Sequence, residues 1–241
     1  MILNDICDRH VCICLKERED KYEQAKINFD KHNIKVDFYR PIRYGFGRIV
    51  TNVIQRPFGW FNANQSGEFG CSISHYTVIK NAYLDGVERL MIWEDDIAFH
   101  KDFDSKISEY IKHLPNDWNI FFLYNFSAAF NPNNITVNDY WKVSYKCWSN
   151  VAYVLDRKAM GLWLNLMDSF LTIADVITYN LQETEKYGLN CYSAYPSLVN
   201  VNTYFKSDIR EHHTNERFRT VFVKNHNDYD YSLSESTKKN T

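Results

Sequence analysis

Residues 89–97 read Arg89-Leu90-Met91-Ile92-Trp93-Glu94-Asp95-Asp96-Ile97, an apolar run that stops on three consecutive carboxylates. The run has the length and composition of a buried strand, and the turn-forming pair Asp85-Gly86 precedes it. Three adjacent acids at the end of such a strand repel one another, and burial raises the cost. A cation relieves both effects. Hard divalent ions such as Mg²⁺ and Mn²⁺ take oxygen ligands, commonly one or two carboxylates plus substrate phosphates. Open α/β sheets bind ligands at the carboxyl ends of their strands. One reading of the triplet is therefore a metal-diphosphate site, and the other is a solvated acidic turn.

Upstream lies Ser66-Gly67-Glu68-Phe69-Gly70-Cys71-Ser72-Ile73-Ser74-His75. Its glycines permit a tight turn or a close approach to a ligand. The hydroxyl residues, Ser74 among them, then lead into a helix expected over 72–85, with His75 in its first turn. A helix N-terminus favours anions, which makes this a place for phosphate. The alternative is a plain glycine turn with a serine cap.

The segment Gly67-Glu68-Phe69-Gly70-Cys71-Ser72-Ile73-Ser74-His75, followed by a helix and an apolar strand ending Glu94-Asp95-Asp96, resembles glycosyltransferase family 25. That family includes bacterial lipooligosaccharide glycosyltransferases and collagen β-galactosyltransferase domains. The resemblance runs over roughly residues 11–210, with Ala152-Tyr153-Val154-Leu155-Asp156-Arg157 and Ser207-Asp208-Ile209 as weaker matches. It implies an α/β, GT-A-type nucleotide-binding fold, a Rossmann-like open sheet flanked by helices. It also implies an inverting transfer of galactose or glucose from a UDP-sugar, with Mn²⁺ or Mg²⁺, to a glycan or hydroxylated-protein acceptor. Glu94 and Asp96 match the two acids of the Asp-x-Asp motif of such enzymes. Asp96 would be the principal metal ligand, Glu94 a second ligand or a ribose contact, and Asp95 a further cofactor contact. Arg18 and Lys21 match basic positions that lie near the nucleotide; otherwise they form a solvated helix start. Asp175 matches an aspartate before a helix and is the first choice for the general base, with helix capping as its rival role. His75 gains a site role from the same match, and His212 and His213 are candidates to complete the metal shell.

Taken in order, the chain reads as strands over 11–15, 36–39, 119–124 and 148–155. Helices are expected over 16–32, 102–113 and 156–168, the last two capped by Asp102 and Asp156. The helix over 16–32 has few apolar residues and reads as largely exposed. Strand, helix, strand is the opening of a doubly wound sheet. At 241 residues, one domain over 1–227 is expected, with a polar, disordered tail over 228–241. The segments 41–66 and 125–140 read as long loops, suited to building an acceptor pocket.

Composition excludes other classes. The net charge is −2, without the basic stripe of a nucleic-acid binder. No apolar run is long enough for a membrane span, and residues 1–8 lack the features of a signal peptide. A cytoplasmic location follows, lumenal only if a signal has been removed. The six cysteines fit neither a zinc spacing nor a disulfide scaffold and are expected to be reduced and buried. Two other functions fit the sequence. One is a non-catalytic nucleotide- or carbohydrate-binding module of the same fold, motivated by Cys14 and Asn119 standing where the family pattern differs. The other is metal-assisted phosphoryl hydrolysis at the acidic cluster.

Overall fold

The structure, a computed structural model, describes residues 2–43, 66–124, 133–170, 172–202, 204–205, 208 and 226–231. The chain opens with α1 (Ile2–Ile6), β1 (Arg9–Ile13), α2 (Glu19–Lys31) and β2 (Asp37–Tyr39). Then come α3 (Ser66–Leu84), β3 (Arg89–Glu94), β4 (Ile97–Phe99), α4 (Phe103–Lys112), β5 (Ile120–Phe122) and β6 (Trp141–Val143). The last part is β7 (Ala152–Asp156), α5 (Arg157–Phe170), α6 (Ala174–Leu181), α7 (Thr184–Tyr187), β8 (Cys191–Ala194) and β9 (Val199–Val201).

Seven strands form one open sheet in the order β2-β1-β3-β7-β5-β8-β6, and β4 pairs with β9 in a separate ribbon. β2, β1 and β3 run parallel, which is the expected doubly wound opening. β7 enters antiparallel to both β3 and β5, so the sheet is mixed. The architecture is α/β, an open sheet with helices on both faces.

Side chains alternate across a strand. In β3, Met91 and Trp93 enter a core with α1, α2 and α4, including Phe29, Phe103 and Ile107. Leu90 and Ile92 enter the opposite core, with Val78, Ile79 and Ala82 of α3 and Ala159, Met160 and Trp163 of α5. A central strand buried on both sides needs the continuous apolar run that the sequence shows. Gly86, at φ +78°, supplies the left-handed residue that ends α3 and turns the chain into β3.

Several expectations are corrected here. α3 starts at Ser66, so Gly67 and Gly70 are helical residues, not a turn, and His75 lies beyond the first turn. α2 is amphipathic in an unusual way: its buried residues are Lys21, Gln24, Ala25 and Phe29, while Ile27 is exposed. An apolar count therefore mistakes its inner face. β4, β6 and the β4–β9 ribbon are additions to the expected elements; three-residue strands carry too little pattern to be seen. The tail expected from Asp228 is packed at its start: Tyr229 and Tyr231 are buried with Ala98, and Tyr229 bridges to His100. The remainder of that tail, most of 41–66 and residues 125–132 lie outside the described residues.

The two helix caps differ. Asp156 Oδ1 accepts a hydrogen bond from the Ala159 amide at 2.7 Å, and its Oδ2 accepts one from Asn119 at 2.7 Å. Asp102 stands at the N-cap of α4 without a side-chain cap bond. Asp156→Ala is expected to cost about 1–2 kcal/mol and Asp102→Ala less than about 0.5 kcal/mol, read by urea denaturation. Equal losses would contradict the capping assignment.

Candidate active site

The end of β3 splits the acidic triplet between the two faces of the sheet. Glu94 is the last strand residue, paired with Ile13 of β1, and strand alternation puts it on the α3 side with Leu90 and Ile92. Asp95 and Asp96 leave the strand and meet α2 instead. There the Lys21 ammonium lies 3.0 Å from Asp95 Oδ1, 3.1 Å from Asp96 Oδ2 and 2.9 Å from Asp208 Oδ2. The Lys21 side chain is only 3% exposed. Burial alone would lower its pKa, but the three carboxylates outweigh that and hold it well above the usual lysine range.

Arg18, at the N-cap of α2, binds Asp20 through two nitrogens and reaches Asp208 with a third. Arg43 holds the other Asp208 oxygen at 2.7 Å. Burial pushes Asp208 up, but Lys21 and Arg18 overcome it and bring the carboxyl down to about 2. The β4–β9 ribbon brings this distant segment in: Ile97–Phe99 pairs with Val199–Val201, and the Asn202 amide donates to the Asp96 carbonyl at 2.6 Å.

On the α3 side, Cys71 and His75 are one helical turn apart and share a face. Cys71, His75 and Glu94 each offer a ligand atom, and the three atoms lie within 4.8 Å of one another. His75 is fully buried; its Nδ1 is 2.9 Å from the Tyr153 hydroxyl, and its Nε2 faces Glu94 Oε1 at 3.8 Å. Burial lowers the His75 pKa to about 4, against a raising pull from Asp175. Burial, then Asp96 and Asp95, push Glu94 up to about 8. Asp175 lies in the first turn of α6, where its charge bears on both Cys71 and His75. The N-cap of α6 is Ile173, and the amide of Ala174 is met by the Ser72 hydroxyl, so Asp175 is not the capping residue.

The structure thus brings Lys21, Arg18, Asp95 and Asp96 together, and sets Glu94, His75 and Asp175 beside them on the other face. Ser74 is not brought in: it is buried, and its hydroxyl donates to the Gly70 carbonyl within α3. His212 and His213 lie outside the described residues. Sequence reasoning missed two participants. Asp208 sat in the weakly matching Ser207-Asp208-Ile209 and carried no chemistry of its own. Cys71 was judged with the other cysteines, whereas its partners are a histidine on its own helix and a carboxylate on a strand.

Two expectations test this geometry. Lys21→Met removes one partner of a buried ionic cluster and is expected to cost about 3–5 kcal/mol in urea denaturation, partly restored by adding Asp208→Asn. Full stability in Lys21→Met would mean that the ammonium is not needed to hold the acids together. For Glu94 the sign is opposite to that of a paired carboxylate. Between the ordinary glutamate value of 4.5 and about 8 the folded chain keeps a proton on Glu94 that the unfolded chain has released. Stability in chelator should therefore fall by about 1 kcal/mol per pH unit across that window, and Glu94→Gln should flatten the profile.

A family model described as glycosyltransferase family 25 (LPS biosynthesis protein) matches residues 9–178. The procollagen lysyl hydroxylase and glycosyltransferase of Acanthamoeba polyphaga mimivirus is 23% identical over 190 residues, covering 66% of this chain and 21% of that protein. The chain thus spans about a fifth of the length of this curated relative. A crystal structure of a glycosyltransferase involved in glycosylation of the major capsid of PBCV-1 has a TM-score of 0.37 at 10% identity, over 73% of this chain and 66% of that one. Mannose-1-phosphate geranyltransferase from Thermus thermophilus has a TM-score of 0.38 at 9% identity, over 77% and 72%. At these scores the superpositions are loose, and the fold rests on the topology described above. The family match runs from β1 into α6, takes in the glycine-serine segment and the acidic triplet, and covers more than half of the sequence: the chain belongs to glycosyltransferase family 25.

Proposed function

We propose that the chain transfers a hexose, galactose or glucose, from a UDP-sugar to a hydroxyl of a glycan or a hydroxylated protein, with inversion and with Mn²⁺ or Mg²⁺. The observation that supports it best is the convergence of Asp95, Asp96 and Asp208 on one cationic point at the carboxyl end of β3. An all-oxygen donor set of carboxylates suits a hard divalent ion. Asp96 would hold the metal, with Asp95 and Asp208 in reach, and the ion would supply countercharge to the leaving diphosphate.

The chain's own groups perform the rest. Lys21 and Arg18 carry fixed positive charge at the start of α2, where phosphate oxygens gain both charge and hydrogen bonds. Asp175 would accept the proton of the acceptor hydroxyl as it attacks the anomeric carbon. His75, fully buried between Tyr153 and Glu94, would position Glu94 from behind.

A second reading keeps the fold and drops the turnover. Lys21 already neutralises the carboxylates that a metal would use, which also suits a nucleotide- or carbohydrate-binding module. One experiment separates the two. UDP-galactose, UDP-glucose and UDP-N-acetyl sugars are incubated with Mn²⁺ or with chelator, using wild type, Asp96→Ala and Asp175→Asn, and UDP release is measured. The expected result is release that needs the metal and Asp96, and that falls about 10²–10⁴-fold in Asp175→Asn when acceptor is present. UDP binding without release from any donor would establish the binding module.

A further inference from the structure

We infer that Cys71, His75 and Glu94 form a zinc site, separate from the carboxylate cluster that faces α2. Two lines converge on it. The first is the ligand set. Cys71 and His75 stand one turn apart on α3, and Glu94 arrives from β3, so one thiol, one imidazole and one carboxylate meet within 4.8 Å. Sulfur and imidazole nitrogen select zinc over the hard ions that carboxylates alone would hold. Three protein ligands with a fourth position open is the pattern of a non-structural zinc site. Tetrahedral zinc needs ligand atoms about 3.3–3.6 Å apart, given its bond lengths. The His75 Nε2 to Glu94 Oε1 separation of 3.8 Å is close to that already.

The second line is independent of the count of ligands. His75 Nε2 is fully buried and has no hydrogen-bond partner among the described residues, although it points at a carboxyl oxygen of Glu94. An orphaned buried polar atom is costly and calls for an occupant. When Nδ1–H donates to the Tyr153 oxygen, Nε2 presents a lone pair towards Glu94, and at 3.8 Å the carboxyl is too far away to fill it. A cation between them satisfies both. The Tyr153 contact is the outer hydrogen bond that metal-bound histidines use to fix their tautomer and ring plane.

The site does not share its ligands with the donor cluster. Glu94 turns to α3, while Asp95 and Asp96 turn to Lys21. Zinc would tie the N-terminal half of α3 to the end of β3 and set a Lewis acid beside Asp175, whose charge reaches both Cys71 and His75. Binding would release the thiol proton of Cys71 and the carboxyl proton of Glu94 to solvent, since thiolate and carboxylate are the ligands.

The test uses the full chain, stripped with chelator and titrated with Zn²⁺, then with Co²⁺ as a spectroscopic substitute. We expect one zinc retained per chain, and a cobalt adduct with intense tetrahedral bands and a thiolate-to-metal charge-transfer band. Cys71→Ser should abolish the charge-transfer band, and Tyr153→Phe should weaken zinc binding about 10-fold. Folding of each variant is checked by circular dichroism; if Cys71→Ser fails to fold, alkylation of Cys71 in the stripped protein and its protection by zinc give the same answer. Three results would overturn the inference: no retained zinc in the folded wild type, a six-coordinate cobalt spectrum without a thiolate band, or zinc lost in Asp96→Ala but kept in Cys71→Ser. None of them bears on whether UDP is released with Mn²⁺, so the zinc site and the proposed transfer stand or fall separately.

Discussion

The site depends on one buried ammonium. Lys21 is the only contact that Asp95, Asp96 and Asp208 have in common among the described residues, and it comes from a helix that an apolar count would place in solvent. Burying three carboxylates near one another is costly unless a cation stands between them. Lys21 supplies that cation from a well-packed position: α2 is fixed against the sheet by Phe29, which meets Phe38, Trp93 and Phe99 edge-on. The aromatic packing beneath the helix and the ion cluster at its start therefore rely on the same placement of α2.

The register of β3 does the rest. Because side chains alternate, three consecutive acids cannot all face one way. Glu94 is assigned to the α3 face by strand geometry, and Asp95 and Asp96 escape to the α2 face because the strand ends at Glu94. A one-residue slip of β3 against β1 and β7 would exchange the two chemistries and also drive Trp93 out of its pocket. The burial of Trp93, Met91, Leu90 and Ile92, all fully enclosed, fixes that register. Core packing and site geometry are thus one constraint, read at two points of the same strand.

This explains what the sequence could and could not reveal. The apolar run and its acidic end were legible because a strand buried on both faces leaves a continuous pattern. The cap at Asp156 and the turn at Gly86 were legible because they are local. α2 was misjudged because its inner face includes two polar residues: Lys21, whose partners lie far along the chain, and Gln24, which bonds Asn28 one turn on. The start of α3 was misjudged because Gly67 and Gly70 are poor helix formers that tertiary packing overrides. Asp208 was invisible as a participant because it reaches the cluster only through the β4–β9 ribbon, built from strands too short to leave a signal. Cys71 illustrates the same limit from the other side: spacing between cysteines says nothing about a site whose other ligands are a histidine and a glutamate.

The charge count around Lys21 bears on the proposed transfer. Among the described residues Lys21, Arg18 and Arg43 face Asp20, Asp95, Asp96 and Asp208, three cations against four carboxylates. The cluster is nearly neutral but slightly acidic, so a free diphosphate gains little by approaching it. A divalent ion would reverse that sign, and the same groups would then attract the diphosphate they would otherwise leave in water. Lys21 and Arg18 need only exchange a carboxylate oxygen for a phosphate oxygen, a substitution between acceptors of like charge. In the proposed transfer the arginine and lysine would hold the acids apart from solvent before the donor arrives, and would hold the phosphates once it has. The opposite face of β3 needs no such exchange, because Glu94 and His75 are turned towards each other there. Two kinds of charge handling can then sit side by side without one cation serving both.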